Sequence, residues 1–379
     1  MNNILSLTKK LITVPSYVSK TVDESKIGKY IYALLKKNTH LTVEKQHVEG
    51  NRYNIFAYTK TSLEKRAINL DTLYINHIDT VPPQNGWETD QYTPTMKENK
   101  LYGLGSFDTK GNVAVLLSIA LEITTKRCGF LFYVDEEYAF KGIYSFIKKN
   151  KLRIMCGRII SADGEQLQVR KATRGLVELD ITVEGKAGHA GNPENGNNAI
   201  IILLNSYIYL QNKCALLKDE KLGSPTTNLA YILGGTGVAR GKKIDVKNYG
   251  NIIPNYATAT IEVRTTTQLT AQNISQHLID AVRYYEGKVK NIMVRHALPA
   301  SSSEMTSFKD LIQAFTKYGI QLQIKSPQKA GYVDIAILAN ELSIPWCCVG
   351  ACGANAHAPN EYVLISSLQK LRSILLETL

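Results

Sequence analysis

A histidine and several acids stand at the ends of apolar runs, and a second histidine and another acid lie in small-residue segments, a set of types that suits a metal ion. Asn76-His77-Ile78-Asp79 places a histidine and an aspartate two residues apart after the strand-like run 71–76. One can bind metal while the other braces it, because a ligating histidine commonly gives its second ring N–H to a carboxylate. Taken alone, the pair fits ordinary strand-end surface chemistry equally well. The glycine-rich stretch GLGSFDTKG (103–111) precedes an apolar helix and competes as a phosphate loop. The Walker spacing is absent, since Gly111 and Asn112 follow Lys110. Asp108 in that loop would repel phosphate and suits a cation. Asp135-Glu136-Glu137 follow the apolar run GFLFYV (129–134). Adjacent acids there need a counter-charge or raised pKa values, unless they form an exposed turn. Asp163 follows the run RIISA, and His357 sits in Ala356-His357-Ala358-Pro359-Asn360-Glu361. Together His77, Asp108, Glu137, Asp163 and His357 suffice for two divalent ions sharing one carboxylate, with positions left for water and substrate. Nitrogen and oxygen ligands without thiolates fit zinc, with Co²⁺ or Mn²⁺ compatible.

The elements that must carry these residues alternate between strand and helix. Amphipathic helices are predicted at 6–14 and 26–37, strands at 54–60, 71–76, 129–134 and 158–163, and helices at 112–125 and 144–151. Alternation of this kind predicts an α/β fold whose mixed, mostly parallel sheet is flanked by helices. His77, Asp135 and Asp163 then stand at the C-terminal ends of strands, where open α/β sheets build their sites. The texture changes near 176. An alternating strand (176–185), a helix (198–212), a strand (257–264), a helix (271–287) and a strand (291–297) suggest an inserted α+β ferredoxin-like unit. The α/β texture resumes after 298. The expected organisation is a discontinuous catalytic domain, 1–176 plus 298–379, interrupted by 177–297.

The composition excludes other classes. The 379 residues are 44% hydrophobic and 21% charged, as in ordinary globular chains and unlike disordered ones. No apolar run is long enough to span a bilayer, and the start lacks the pattern of a secretory leader. The six cysteines are scattered and form no CxxC pair, which reads as reduced thiols in a cytoplasmic protein. The net charge of +12 invites a nucleic-acid reading. No run of five basic residues and no RNA- or DNA-binding motif accompanies it, so a lysine-rich solvated surface that attracts anionic small substrates is expected.

The HxD, GxxDxKG, DEE, acid-Gly and AHxxxE segments, in this order, resemble the co-catalytic zinc amidohydrolases and metallopeptidases. That family includes acetylornithine deacetylase, succinyl-diaminopimelate desuccinylase, aminoacylase, bacterial carboxypeptidases and di- and tripeptidases. The resemblance runs from LTKKLITVPS to AHAPNEYV. It implies that His77 and Asp163 hold one of two zinc ions, Glu137 and His357 the other, and Asp108 both. Asp79 would brace His77, and Glu136 would be the general base. The insert would be a lid and homodimerisation domain. His189, in GKAGHAGNPENGNNAI, would reach the partner copy's site and stabilise an oxyanion. Asn251 and Arg264 would hold the substrate carboxylate, and Gly331 would line the pocket. Without the resemblance His189 is a loop histidine and Arg264 a strand-surface arginine.

The activity so implied is hydrolysis of an amide bond in a small N-acyl amino acid by a hydroxide bridging two metals, within amino-acid metabolism. A di- or tripeptidase or a carboxypeptidase on the same scaffold is the alternative, and a non-catalytic metal- or ligand-binding relative is a remoter one. The expected partners are a small amino-acid-derived substrate and a second copy of the chain, with neither nucleic acid nor membrane. Three departures stand out. Leu104 occupies a position where many relatives carry Arg. Asp163-Gly164-Glu165 stands where deacetylases often have Glu-Pro-Thr, and Asp there tends to accompany peptidases. Cys352 lies in a stretch that is often Gly-Pro-Gly, either as a soft ligand or as a bystander.

Overall fold

The computed structural model describes residues 4–64, 67–240 and 243–379. Along the chain the main strands are β1 (Leu41–Glu49), β2 (Arg52–Thr59), β3 (Ala67–His77), β4 (Cys128–Tyr133) and β5 (Ile154–Ser161). Then follow β6 (Gly175–Glu184), β7 (Thr226–Arg240), β8 (Lys243–Lys247), β9 (Tyr256–Thr265) and β10 (Lys288–Leu298), and finally β11 (Trp346–Cys348). The principal helices are α1 (Ile4–Ile12), α2 (Ser25–Leu35), α3 (Gly111–Glu122), α4 (Lys141–Asn150), α5 (Ala199–Ala215) and α6 (Ala271–Tyr284). They continue with α7 (Lys309–Lys317), α8 (Ile335–Leu342) and α9 (Ile365–Leu376). Two compact units emerge. The first comprises Met1–Lys171, Ser302–Ser326 and Val333–Leu379, and the second Ala172–Ser301 with Pro327–Tyr332.

The first unit is built on a mixed sheet in the order β1-β2-β4-β3-β5-β11. The β4/β3, β3/β5 and β5/β11 ladders are parallel, and β1/β2 and β2/β4 antiparallel. Every residue of β4 is buried, as its unbroken apolar run requires of a strand covered on both faces. Helix α3 is apolar all round and buries ten consecutive residues, Gly111 to Ala120, so it lies inside the unit and not on its surface. The parallel register pairs His77 with Tyr133 and Ile75 with Ser161. The residues at the C-terminal ends of three neighbouring interior strands therefore emerge on the same side of the sheet.

The second unit is a sheet in the order β8-β7-β9-β6-β10, antiparallel throughout. Without the short β8, the order β7-β9-β6-β10 is the ferredoxin-like arrangement. Alternate residues Val177, Leu179, Ile181 and Val183 of β6 and Ala257, Ala259, Ile261 and Val263 of β9 pack with α5 and α6 in one core. Strand β7 completes the motif and has no counterpart among the elements expected from sequence. Its GG and TG steps, Gly234-Gly235 and Thr236-Gly237, interrupt the apolar alternation that marks strands. Strand β1 and helix α8 are likewise additions. In β1 the run Glu44-Lys45-Gln46-His47 hides the alternation. No helix among the described residues is long and apolar enough to cross a membrane, and all six cysteines are unpaired.

Candidate metal centre

His77 is the last residue of β3 and is buried, as is Asp79. Glu136 and Glu137 follow β4, and Asp163 follows β5. Asp108 comes from the loop before α3, where the Asp108–Thr109 peptide is cis. His357 lies between the short strands Gly353–Ala354 and Tyr362–Leu364, with a left-handed φ of 60°. These separate segments converge. His77 Nε2 lies 3.2 Å from Asp108 Oδ1 and 3.5 Å from Asp163 Oδ1. His357 Nε2 lies 3.2 Å from Asp108 Oδ2 and 3.0 Å from Glu137 Oε1. Donor atoms of His77, Asp108 and Asp163 fall within 4.8 Å of one another, and so do those of Asp108, Glu137 and His357. Asp108 thus belongs to two triads through its two different oxygens.

The electrostatics call for cations. Burial raises the pKa of Glu136 well above the ordinary carboxylate value, and it raises those of Glu137 and Asp163. Burial also opposes ionisation of Asp108, yet His357 and His77 outweigh it and hold this carboxyl below its usual range. His357 is pushed up to about 11 by Asp108 and Glu137. Burial disfavours charge on His77, but Asp108, Asp163 and Asp79 overcome it and raise its pKa well above the ordinary value. Without metal, protons stand where positive charge is wanted. A divalent ion in each triad satisfies the same need with a donor set of imidazole nitrogen and carboxylate oxygen. Asp79 faces both triads. Its Oδ1 lies 3.5 Å from His77 Nδ1, and its Oδ2 accepts the Glu137 backbone N–H at 3.0 Å.

Supporting residues to which the sequence assigned no role surround this centre. The buried Glu361 carboxylate accepts the backbone N–H groups of Gly105 (2.6 Å), Phe107 (2.8 Å) and Asp108 (2.8 Å), fixing the loop that presents Asp108. Burial pushes its pKa up to about 8. Gly105 has φ 76°, and a Cβ there would lie 2.6 Å from Thr80 Cγ2, so glycine is required. Lys110 is wholly buried with its ammonium on Val14 O at 2.8 Å, and burial pushes its pKa down to about 7. Asp334, at the start of α8, groups with Glu136 and Asp163 and accepts the Tyr133 hydroxyl at 2.8 Å. Burial and then Asp163 push its pKa up to about 7. The available signals were that Glu361 is the acid of AHAPNE and that Asp334 lies three residues after Gly331.

The departures gain physical accounts. A Cβ on Gly164 would lie 2.5 Å from Gly350 N, and one on Gly350 would lie 1.9 Å from Gly164 O. Two backbones touch there, and proline at 164 is excluded. Glu165 pairs with Lys325. Leu104 is buried, and its N–H donates to Gln91 O at 2.9 Å. Cys352 joins no metal-holding group among the described residues.

The remaining expected site residues lie in the second unit. His189 is exposed and bridges to Ile252, while Ala190 N–H donates to Asn251 O at 3.0 Å. These contacts bring His189 and Asn251 together. Gly191 N–H donates to His189 Nδ1 at 3.0 Å. Arg264 Nε donates to Glu262 Oε1 at 2.9 Å. Arg174, unnoticed in the sequence, donates to Thr226 Oγ1 at 3.1 Å. Thr226 stands opposite Arg264 in the β7/β9 ladder, so the two arginines flank the same residue, and burial, followed by the charge of Arg264, lowers the pKa of Arg174. Gly331 lies in the Pro327–Tyr332 segment of this unit.

The family profile described as Peptidase family M20/M25/M40 matches residues 73–379. The chain belongs to this family. That family is described as one of peptidases. A probable carboxypeptidase of Aspergillus clavatus is 29% identical over 279 residues, 69% of this chain and 62% of that protein. An acetylornithine deacetylase of Erwinia tasmaniensis is 29% identical over 254 residues, 63% of this chain and 64% of that protein. The match thus spans less than two thirds of either relative. The crystal structure of aminopeptidase PepT from Bacillus cereus shares the fold, with a TM-score of 0.76 at 19% identity, covering 99% of this chain and 96% of that one.

Metal and protons compete for this centre, because the imidazoles must be neutral and the carboxylates ionised to ligate. Calorimetric titration of the metal-free chain should show net proton release. Affinity should weaken by about tenfold per pH unit, per proton displaced, as pH falls from about 8 to about 6. Affinity independent of pH would rule out ligation by these groups.

Proposed function

We propose that the chain hydrolyses the amide bond of a small N-acyl amino acid using two divalent ions, with zinc the metal best suited to its nitrogen and oxygen donors. The observation carrying this reading is Asp108, whose two oxygens face His77 and His357 separately. His77 and Asp163 would hold one ion, Glu137 and His357 the other, and Asp108 both. The chemistry supplied by such ions, when bound, is polarisation of the amide carbonyl and a lowered water pKa. Asp79 orients His77 from behind and steadies the Glu137 backbone. Glu136 holds the proton taken from water and delivers it to the leaving nitrogen. Its burial, which raises its pKa, suits a base that must also act as an acid.

His189 Nδ1 accepts the Gly191 N–H, so the neutral ring carries its proton on Nε2. That leaves an N–H donor for the oxyanion formed at the site of a second copy of the chain. The adjacent Arg174 and Arg264 support a substrate with a free carboxylate, which guanidinium groups recognise in bidentate fashion. Asn251 would join Arg264 on that carboxylate, and Gly331 would line the pocket. A second reading, a peptidase or carboxypeptidase, is favoured by Asp163 in place of glutamate and by the Aspergillus relative's name.

The second unit supports a homodimer. Ile201 and Ile208 of α5 and Tyr231, Ile232 and Leu233 of β7 are all exposed. Strand β8 pairs only with 236–240 of β7, which leaves 226–235 an open edge on that side among the described residues. A second copy would cover such an edge.

Three outcomes test these readings. With Zn²⁺ or Co²⁺ added, acetyl and succinyl amino acids should be cleaved in preference to dipeptides. The reverse order would select the peptidase reading, and no cleavage of either class would remove both. Glu136→Gln should keep its metal and lose turnover by about 10²–10⁴-fold, and His189→Ala should lose most activity at unchanged metal content. Near-wild-type rates would discard those roles. Sedimentation should give twice the chain mass of 42.2 kDa, and Tyr231→Glu should yield monomers. A monomeric wild type would end the dimer proposal.

A further inference from the structure

The acidic turn after β4 must hold Glu136 and Glu137 in place although its first residue, Asp135, has a left-handed φ of 71°. Few non-glycine residues adopt this conformation without help. The help comes from β2. The β2/β4 ladder pairs Ile55 with Phe132 antiparallel, and the same register carried onward sets Arg52 against Asp135. Arg52 and Asn54 are two residues apart on β2, so their side chains share a face. Both reach the turn. Arg52 donates to the Asp135 carboxylate and, through Nε (2.7 Å) and Nη2 (2.6 Å), to both oxygens of Glu24. Asn54 accepts the Val134 N–H at 3.3 Å and donates to Gly142 O at 2.8 Å.

The clamp has a third member. Glu24, at the start of α2, accepts the Asp135 backbone N–H at 3.1 Å. Asp135 itself closes the turn, since its carbonyl takes the Phe140 N–H at 2.7 Å and its carboxylate the Lys141 N–H at 3.2 Å. Glu24, Arg52 and Asp135 are all buried. Arg52 is the cation shared by two acids that would otherwise be left unpaired, and its planar fork can serve both. At its other end the turn is held by Asp79 through the Glu137 N–H.

We propose that Arg52, with Glu24, is a positioning residue. Through Asp135 it fixes the turn that aims Glu137 at the second metal position and Glu136 at the water. The proposal rests on the roles given above to Glu136 and Glu137. Glu24 belongs to no metal-holding group among the described residues, and Arg52 carries no metal-ligating atom.

The test compares Arg52→Met, Arg52→Lys and Asp135→Asn with the wild type, both metal-free and loaded with Co²⁺. Arg52→Met should weaken Co²⁺ binding and lower kcat by about tenfold or more each, as loss of outer partners does at metal sites. The visible Co²⁺ spectrum should shift and KM should stay within about twofold of wild type, a split that general destabilisation does not produce. Arg52→Lys keeps the charge but loses the fork, and should fail to restore the spectrum. Combining Arg52→Met with Asp135→Asn should cost little more than either alone, because both act through one contact. Wild-type Co²⁺ affinity, spectrum and kcat in a folded Arg52→Met chain would overturn the proposal, as would losses that multiply. If Arg52→Met does not fold, Asp135→Asn decides. Weakened Co²⁺ binding there supports the clamp and wild-type binding overturns it. Because Co²⁺ binding is read without turnover, a wild type that cleaves no acylated substrate would defeat the hydrolytic reading while leaving this result interpretable.

Discussion

The protein concentrates negative charge where water is scarce. Asp108, Glu137 and Asp163 offer oxygens to His77 and His357, and Glu136 and Asp334 crowd against Asp163. That many carboxylates cannot stay ionised in a low-dielectric pocket unless cations share it. Protonation is the default answer, seen in the raised pKa values of both histidines. Two divalent ions are the functional answer, since they supply the charge without consuming the ligands. The surrounding architecture keeps this repulsive set assembled at the cost of local stability.

Three kinds of support do that work. Parallel strands put His77, the acidic turn and Asp163 at one end of the strands by register alone. Backbone contacts fix the loops, with Glu361 on the Asp108 loop and Asp79 on the Glu137 amide. Buried ion pairs hold the turn from outside, as Arg52 and Glu24 do at Asp135. Each support pins backbone and leaves the functional side chains free to bind metal. The touching backbones at Gly164 and Gly350 belong to the same scheme, since a side chain at either would push apart the segments carrying Asp163 and β11.

Strong, regular sequence signals translated directly into elements. Helix α3 and strand β4 are apolar enough to be placed without knowing their neighbours. The alternation of β6 and β9 marked a half-buried sheet. Strands β1 and β7 escaped notice because charge in one and glycine in the other break the alternation, and neighbouring strands supply the pairing that makes them strands. Among the site residues, His77, Glu137 and Asp163 stood out as chargeable groups at the ends of apolar runs, and Asp108 and His357 stood out only with them, as motifs in a fixed order. Glu24 and Arg52 did not. An acid at a helix start and an arginine at a strand start look like ordinary surface residues, and burial alone reveals them.

The sequence by itself determined the chemistry available, namely nitrogen and oxygen donors on an α/β frame with an α+β insert, because residue type and hydrophobic period are local properties. Only the tertiary structure decided which donors meet. That one aspartate serves two histidines, that Glu361 cradles the Asp108 loop and that Arg52 clamps the acidic turn all depend on contacts between residues far apart in the chain. No local pattern encodes such contacts, because strand register and the packing of side chains fix them once the whole unit has folded.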